Sequence, residues 1–197
     1  MQADLTDIAY VLDRSGSMHS LASDAIGGFN AFLNSQQKLE GRANFTLVLF
    51  DHEYLLVHNN VDIRQVPPLD HETYIPRGNT AMLDAIGRTI EEVGARLANT
   101  PESERPSKVI IAIFTDGLEN SSRLYTNERI AAMIQHQQEK YGWEFLFLAA
   151  NQDAIASAQK LAIPAANAMN FVASPVGVRT SQEMLNRSIT ERRQRKS

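Results

Sequence analysis

The chain has 197 residues, of which 43% are hydrophobic, so it can bury one sizeable core, and nothing in its composition indicates a second domain. Its formal net charge of -4 argues against the broad basic face that nucleic acid or an anionic membrane would favour. Because it has no cysteine, disulfide scaffolds, thiolate metal sites and cysteine nucleophiles are excluded.

The first residues, Met1 to Asp4, show neither the basic region nor the apolar region of a secretory signal. The longest apolar stretches are far shorter than a membrane span. We therefore expect a cytoplasmic protein without a membrane or nucleic-acid partner.

The first predicted strand, Thr6 to Leu12, is apolar enough to be buried on both faces, and it stops at the turn-forming segment Asp13 to Ser17. A helix is expected from about Ser20 to Lys38. Its apolar residues recur at three- and four-residue spacing, namely Leu21, Ala25, Phe29, Phe32 and Leu33. Gly27 and Gly28 lower the helix propensity in its middle, which predicts tight packing of this helix against the sheet.

Two further strands, Asn44 to Phe50 and Glu53 to His58, are separated by a very short turn and are expected to pair antiparallel. A polar connection, Asn59 to Asn79, follows them. It leads into a second helix at about Thr80 to Ala98, whose apolar stripe consists of Leu83, Ile86, Ile90, Val93 and Leu97.

The second half of the chain alternates strands and helices. We predict strands at Val109 to Phe114, Glu144 to Ala149 and Asn170 to Ala173, and helices at Asn127 to Tyr141, Asp153 to Leu161 and from about Thr180. This alternation predicts an α/β fold, a doubly wound and mostly parallel sheet with helices on both faces. We expect one domain over 1–197, with a core at about 4–175 and a C-terminal helix and tail at about 176–197. The basic run at 192–196 is expected to be solvated.

Oxygen-bearing side chains follow two strands and precede one helix of the predicted sheet. These are Asp13, Ser15 and Ser17 after the first strand, Thr80 before the second helix, and Asp116 after the fourth strand. Right-handed crossovers bring the carboxyl ends of the first and fourth strands to one edge, where such sheets bind ligands. Two carboxylates and three hydroxyls are hard donors that suit Mg²⁺, with Mn²⁺ or Ca²⁺ as alternatives, and suit zinc or copper poorly.

The composition of this donor set has a consequence for recognition. Three neutral hydroxyls and two acids leave coordination positions of Mg²⁺ to water, one of which a partner could take. If the hydroxyls bind directly and the acids act mostly through water, the ion keeps much of its positive charge and attracts a carboxylate from another molecule. The sequence thus favours a protein partner that offers an aspartate or glutamate.

Three motifs carry a resemblance to a known family. Asp13-Arg14-Ser15-Gly16-Ser17-Met18, Gly78-Asn79-Thr80 and Phe114-Thr115-Asp116-Gly117 resemble the metal-ion-dependent adhesion site of von Willebrand factor type A domains. The resemblance covers the chain from about Leu5 to the mid-170s, and it is nearest to the small stand-alone bacterial or phage members. It implies a six-stranded sheet, parallel except for one edge strand, in a three-layer α/β/α sandwich. It also implies Ser15, Ser17 and Thr80 as direct ligands, with Asp13 and Asp116 direct or through water.

Each motif has a simpler interpretation when taken alone. Asp-x-Ser-x-Ser and Asp116-Gly117 are ordinary turn sequences, and Thr80 could cap a helix. Glu119 and Asn120 could line the rim of the site or belong to a solvated loop. Arg77 could orient an incoming carboxylate or keep a loop in water. The five histidines show no metal-ligand spacing.

Three classes of function remain open. The first is a metal-dependent protein-binding module, alone or as part of a larger complex. Within this class, an adaptor for an AAA+ ATPase is the alternative. The second is a metal-dependent phosphoesterase-type hydrolase with Asp13 as nucleophile, although Ser15 stands where such sites place a second acid. The third is a domain whose metal site is vestigial or structural. We expect the first, without catalysis.

Overall fold

A computed structural model describes residues 1–150 and 154–195, in which strands and helices alternate as predicted. The strands are β1 (Gln2–Asp13), β2 (Arg42–Phe50), β3 (Tyr54–Asp62), β4 (Pro106–Thr115), β5 (Glu144–Ala150) and β6 (Ala168–Phe171). The helices are α1 (Ala22–Gln37), α2 (Met82–Ala98), α3 (Asn127–Tyr141), α4 (Ala154–Lys160) and α5 (Pro175–Gln194). None of these helices is long and apolar enough to cross a membrane.

The six strands form one sheet in the order β3-β2-β1-β4-β5-β6. Every neighbouring pair is parallel except β2 and β3 at one edge, which confirms the predicted topology. One face of the sheet shares a core with α1 and α5, and the other shares a core with α2, α3 and α4. The protein is therefore the predicted three-layer α/β/α sandwich.

Strand β1 lies at the centre, and its sequence explains why. All its residues from Leu5 onward are buried, and successive side chains point to opposite faces. Tyr10 and Leu12 join the core under α1 and α5, while Ala9 and Val11 join the core under α2 to α4. A strand covered on both faces requires this run without solvent-facing polar residues.

The parallel register places the candidate site. Leu12 of β1 lies opposite Phe114 of β4, so the segments that follow these two strands leave the sheet side by side. The connection before α2 reaches the same edge, because the Ala81 N–H donates to the carbonyl of Asp51 at the end of β2, over 2.8 Å. Three loops that are distant in sequence thus meet above the sheet.

The last helix begins earlier than predicted. The expected start at about Thr180 is wrong, because α5 begins at Pro175. Ser174 caps it by accepting a hydrogen bond from the Gly177 N–H, and proline suits the first helical position. The predicted start of α4 at Asp153 lies outside the described residues.

We expected the C-terminal basic run to be solvated, but two of its arginines make contacts within the protein. Arg192 lies 2.6 Å from a carboxylate oxygen of Glu144, at the start of β5. Arg193 donates to the carbonyl and the side chain of Gln36 in α1. These contacts fasten the end of α5 to both the sheet and α1, so the prediction is wrong for these two arginines.

Of the two glycines in α1, Gly28 packs against a helix and not against the sheet. A Cβ at Gly28 would lie 2.6 Å from Cγ of Gln182 in α5, whereas a Cβ at Gly27 would have no neighbour within 4 Å. Gln182 in turn accepts a hydrogen bond from the buried hydroxyl of Tyr10, at 2.5 Å. Gly28 therefore lets α5 approach closely enough to reach β1.

Gly28→Ala is expected to lower the free energy of unfolding by about 1 to 3 kcal/mol, because the added methyl overlaps a part of Gln182 that cannot swing away. Gly27→Ala is the matched control and should raise it by up to about 1 kcal/mol, through better helix propensity. Urea unfolding of both variants measures the difference. Equal effects of the two substitutions would contradict the packing assigned to Gly28.

Candidate metal centre

Asp13 forms the buried floor of the site. Its side chain is fully buried at the end of β1. One oxygen accepts a hydrogen bond from the Ser15 N–H at 2.6 Å, and the other accepts from the Thr115 hydroxyl of β4 at 2.5 Å. The hydroxyl of Tyr74 donates to the Asp13 carbonyl at 2.5 Å. These contacts fix the orientation of the carboxylate between the two central strands.

The two serines extend this floor toward solvent. The hydroxyl oxygens of Ser15 and Ser17 lie 3.1 Å apart, and Ser17 donates to a carboxylate oxygen of Asp116 at 2.6 Å. Ser15 is buried, Ser17 is exposed and Asp116 is half-buried. The oxygens thus run from the buried centre of the sheet to its surface.

Thr80 completes the set from the loop before α2. It is buried, and it is not the helix cap, because α2 begins at Met82 and no side chain caps it from Ala81. A Cβ at Gly117 would lie 3.0 Å from Oγ1 of Thr80, 3.5 Å from Oγ of Ser17 and 3.7 Å from Oδ2 of Asp13. Oxygens from three segments therefore converge around one small space that glycine keeps clear.

The structure brings all five predicted side chains together, and their chemistry fits a hard divalent cation. The donors are all oxygens, two of them on carboxylates. In the described ranges, no group of three or more histidine, cysteine, aspartate or glutamate side chains is arranged to hold a metal ion. A metal at this site would therefore depend on the hydroxyls of Ser15, Ser17 and Thr80, whose role as ligands stays a prediction.

The electrostatics of the site favour a positive charge. Burial raises the pKa of the Asp13 carboxyl to about 6, against the lowering effect of its hydrogen bonds with Thr115 and Ser15. Burial also raises the pKa of Asp116, against its hydrogen bond with Ser17. Two carboxylates whose charged forms are disfavoured by burial would both be stabilised by a cation between them.

Asp13→Asn is expected to stabilise the metal-free protein at pH 8 by about 1 to 3 kcal/mol. A carboxyl whose pKa rises from 3.8 to about 6 on folding contributes most to stability below about pH 4 and loses that contribution as the pH rises through about 6. The amide has no such penalty, so the difference should vanish near pH 4. Urea unfolding in chelator at both pH values measures it.

Asp4→Asn, at an exposed position of β1, is the control and should leave the free energy of unfolding unchanged at both pH values. If Asp13→Asn instead destabilises the chelated protein at pH 8, the ionised carboxylate is not a source of strain in the empty site.

A second buried carboxylate, Asp51, was not identified from the sequence as part of the site. It is fully buried after β2, and its Oδ2 lies 3.1 Å from Nε of Arg14 and 3.0 Å from Nε of Arg77. Its Oδ1 accepts a hydrogen bond from the Glu53 N–H at 2.6 Å. One carboxylate therefore joins the loop after β1 to the loop before α2.

Backbone hydrogen bonds reinforce this junction. The Arg77 N–H donates to the Arg14 carbonyl at 2.9 Å, and the Gly16 N–H donates to the Gly78 carbonyl at 3.0 Å. Arg77 also forms an ion pair with Glu53. The side chain of Arg77 is thus held in a structural network, which neither of the two interpretations of the sequence anticipated.

Glu119 and Asn120 support the site through hydrogen bonds, although Asn120 is also exposed to solvent. Asn120 accepts from the Thr80 N–H at 2.9 Å and donates its own N–H to the Thr80 carbonyl at 3.1 Å. Glu119 accepts from the N–H of Leu83 in the first turn of α2, and from the N–H groups of Ser121 and Ser122. The loop after β4 therefore clamps Thr80 from both sides.

Asp51→Asn is expected to lower the free energy of unfolding by about 2 to 4 kcal/mol, because it leaves the buried guanidinium of Arg14 without a counter-charge. Arg77→Ala should cost less than about 1 kcal/mol, since Arg77 is half exposed. Urea unfolding of the two variants checks this ranking. A cost for Asp51→Asn no larger than that for Arg77→Ala would contradict the central place of Asp51.

Known proteins similar to this chain are found by structure and not by sequence. No family model matches the sequence, and no curated protein matches it significantly. The von Willebrand factor domain of the type V pilus tip protein Mfa5 from Porphyromonas gingivalis is similar in structure, with a TM-score of 0.68 and 13% identity. That similarity covers 100% of this chain and 99% of the other.

Two further solved structures contain metals. The proximal thread matrix protein 1 from the mussel byssus, with a zinc-occupied metal-ion-dependent adhesion site, gives a TM-score of 0.62 at 18% identity, over 95% of this chain and 46% of the other. The manganese-loaded TRAP protein from Plasmodium vivax gives a TM-score of 0.55 at 20% identity, and the similarity covers 76% of this chain and 58% of the other. The chain spans less than half the length of the mussel protein. At these identities the comparisons establish the fold.

Proposed function

From the von Willebrand factor A fold of this chain, we propose that the protein is a metal-dependent binding module. Mg²⁺ at the carboxyl edge of the sheet would be held by Ser15, Ser17 and Thr80 directly and by Asp13 and Asp116 directly or through water, and a carboxylate of a partner protein would complete its coordination. The observation that carries the proposal is the convergence of Thr80, Ser17 and Asp13 oxygens on the space beside Gly117. The zinc and manganese in the two similar structures support a divalent ion at such a site.

Each residue has a separate task in this proposal. Asp13, Ser15 and Thr80 are buried and would hold the ion from below, whereas Ser17 and Asp116 would hold it from the side nearer to solvent. The bound ion would supply a positive charge for a partner carboxylate. The hydrogen bonds among these oxygens orient them in advance, which reduces the ordering cost of binding.

The proposal does not include catalysis. The second residue after Asp13 is Ser15, so no second acid stands where phosphoryl-transfer sites with an aspartate nucleophile place one. A hydrolase remains the second candidate, and turnover of a phosphate ester that is lost in Asp13→Ala would support it over binding. The adaptor role with an AAA+ ATPase and the cytoplasmic location stay predictions.

The first arm of the test measures metal binding alone. Saturating Mg²⁺ is expected to raise the melting temperature by about 5 to 10 °C, because a ligand that binds only the native state stabilises it. Ser15→Ala combined with Ser17→Ala should abolish the rise. The matched control is Ser20→Ala combined with Ser23→Ala, two exposed serines nearby, and it should retain the rise. An unchanged melting temperature in millimolar Mg²⁺ or Mn²⁺ would contradict the proposed metal site.

The second arm measures recognition. The native protein and both double variants are used to capture partners from a lysate of the native host, with and without chelator. A partner held by the ion should be lost in chelator and with Ser15→Ala plus Ser17→Ala, and retained by the control. If a partner still binds in chelator and with Ser15→Ala plus Ser17→Ala, the metal does not take part in recognition and is structural.

A further inference from the structure

A groove of about 470 Å³ opens beside the candidate metal centre. It lies between the turn of β2 and β3, the first half of α2 and the loop after β4. Ala81, the neighbour of Thr80 in sequence, lines it, so the groove begins where the metal site ends. Its floor is made by Ala81 and Ala85, two small buried residues that leave room above α2.

One wall of the groove is a closed unit of three side chains. The Tyr54 hydroxyl donates to Glu92 at 2.9 Å, and the guanidinium of Arg88 stacks over the Tyr54 ring at 4.2 Å. Arg88 also donates to Glu92 at 2.8 Å. The charges of Arg88 and Glu92 therefore neutralise each other within the wall.

The opposite wall repeats this arrangement. The Arg129 guanidinium stacks over the Tyr125 ring at 4.4 Å and lies 3.2 Å from a carboxylate oxygen of Glu91. The Tyr125 ring packs against α2 at Gly87, where a Cβ would lie 2.5 Å from it. Both aromatic walls are therefore fixed before anything binds.

The remaining carboxylates of the groove are also engaged. Asp84 accepts hydrogen bonds from three successive backbone N–H groups, those of Arg123, Leu124 and Tyr125. Glu53 is paired with Arg77. In contrast, the side chain of Leu124 is 70% exposed and lines the groove. Besides the half-exposed imidazole of His52, the surface left for a ligand is therefore mainly apolar.

We propose that this groove binds an apolar side chain from the same partner segment that supplies the carboxylate to the metal. The inference rests on the proposed function and names the class of partner: an acidic residue followed or preceded at short range by a large aliphatic or aromatic one. A charged side chain is disfavoured, because it would lose hydration while the exposed ions of the walls, already paired and screened by water, compensate it only weakly. An apolar side chain gains contact with Leu124 and the alanine floor without that cost.

The geometry also limits the spacing. From Ala81 to Glu92, α2 rises about 16 Å, which is the length of about five residues of extended chain. Since the groove begins next to Thr80, the acidic and apolar residues of the partner should lie about two to five positions apart.

The probe is a panel of fluorescent nine-residue peptides, each with one glutamate, and with leucine, lysine or serine placed two to five positions from it on either side. Affinities are measured by anisotropy with the full chain in Mg²⁺. At one spacing, leucine is expected to improve affinity at least fivefold over serine and over lysine. Leu124→Gln should remove this gain. Val172→Gln should retain it, because Val172 is equally exposed, at 68%, but does not line the groove.

The outcomes separate the two proposals. The proposal for the groove is contradicted if leucine gives no gain in affinity at any spacing, if lysine is preferred, or if the gain persists in Leu124→Gln. The metal-dependent function fails on its own if the leucine gain depends on Leu124 but binding persists in chelator and with Ser15→Ala plus Ser17→Ala. Both glutamine variants change exposed positions, and melting curves that match the native protein show that they fold.

Discussion

The candidate metal centre depends on the buried carboxylate of Asp51. It lies within about 3 Å of two guanidinium nitrogens, one from Arg14 between the first two site residues and one from Arg77 just before Thr80. Without this negative charge, the guanidinium groups of Arg14 and Arg77 would lack the carboxylate that they share at the edge of the sheet. The site is thus a small cluster of acids and hydroxyls whose supporting loops are held by a charge that does not belong to it.

Sequence patterns were sufficient for most of the fold, because the central strands are buried on both faces and leave unbroken apolar runs. They were less accurate where a single cap or a tertiary contact decides the outcome. The start of α5 follows from Ser174 and Pro175, which lie outside its apolar pattern. The docking of Arg192 depends on Glu144, 48 residues away, and a local pattern cannot reveal such a partner.

The five candidate ligands were recognisable because each stands in a motif next to a strand end or a helix start. The residues that support them were not. Asp51 looks like an ordinary turn residue, and Asn120 looks like a loop residue, since the partners of both are distant in sequence. The available signal was an acidic residue directly after a buried strand, together with an arginine inside the first motif. That signal indicates an Asp51–Arg14 ion pair only once β1 and β2 are known to be neighbours in the sheet.

The docking of α5 also has a consequence for how the protein is made. Val178, Leu185 and Ile189 of this helix cover the same face of the sheet as Tyr10, which donates a hydrogen bond to Gln182. During synthesis, Tyr10 of the central strand emerges 172 residues before Gln182 of this helix. Until then α1 covers this face of the nascent sheet without α5, so the core under α1 and α5 is completed only after α5 has been made.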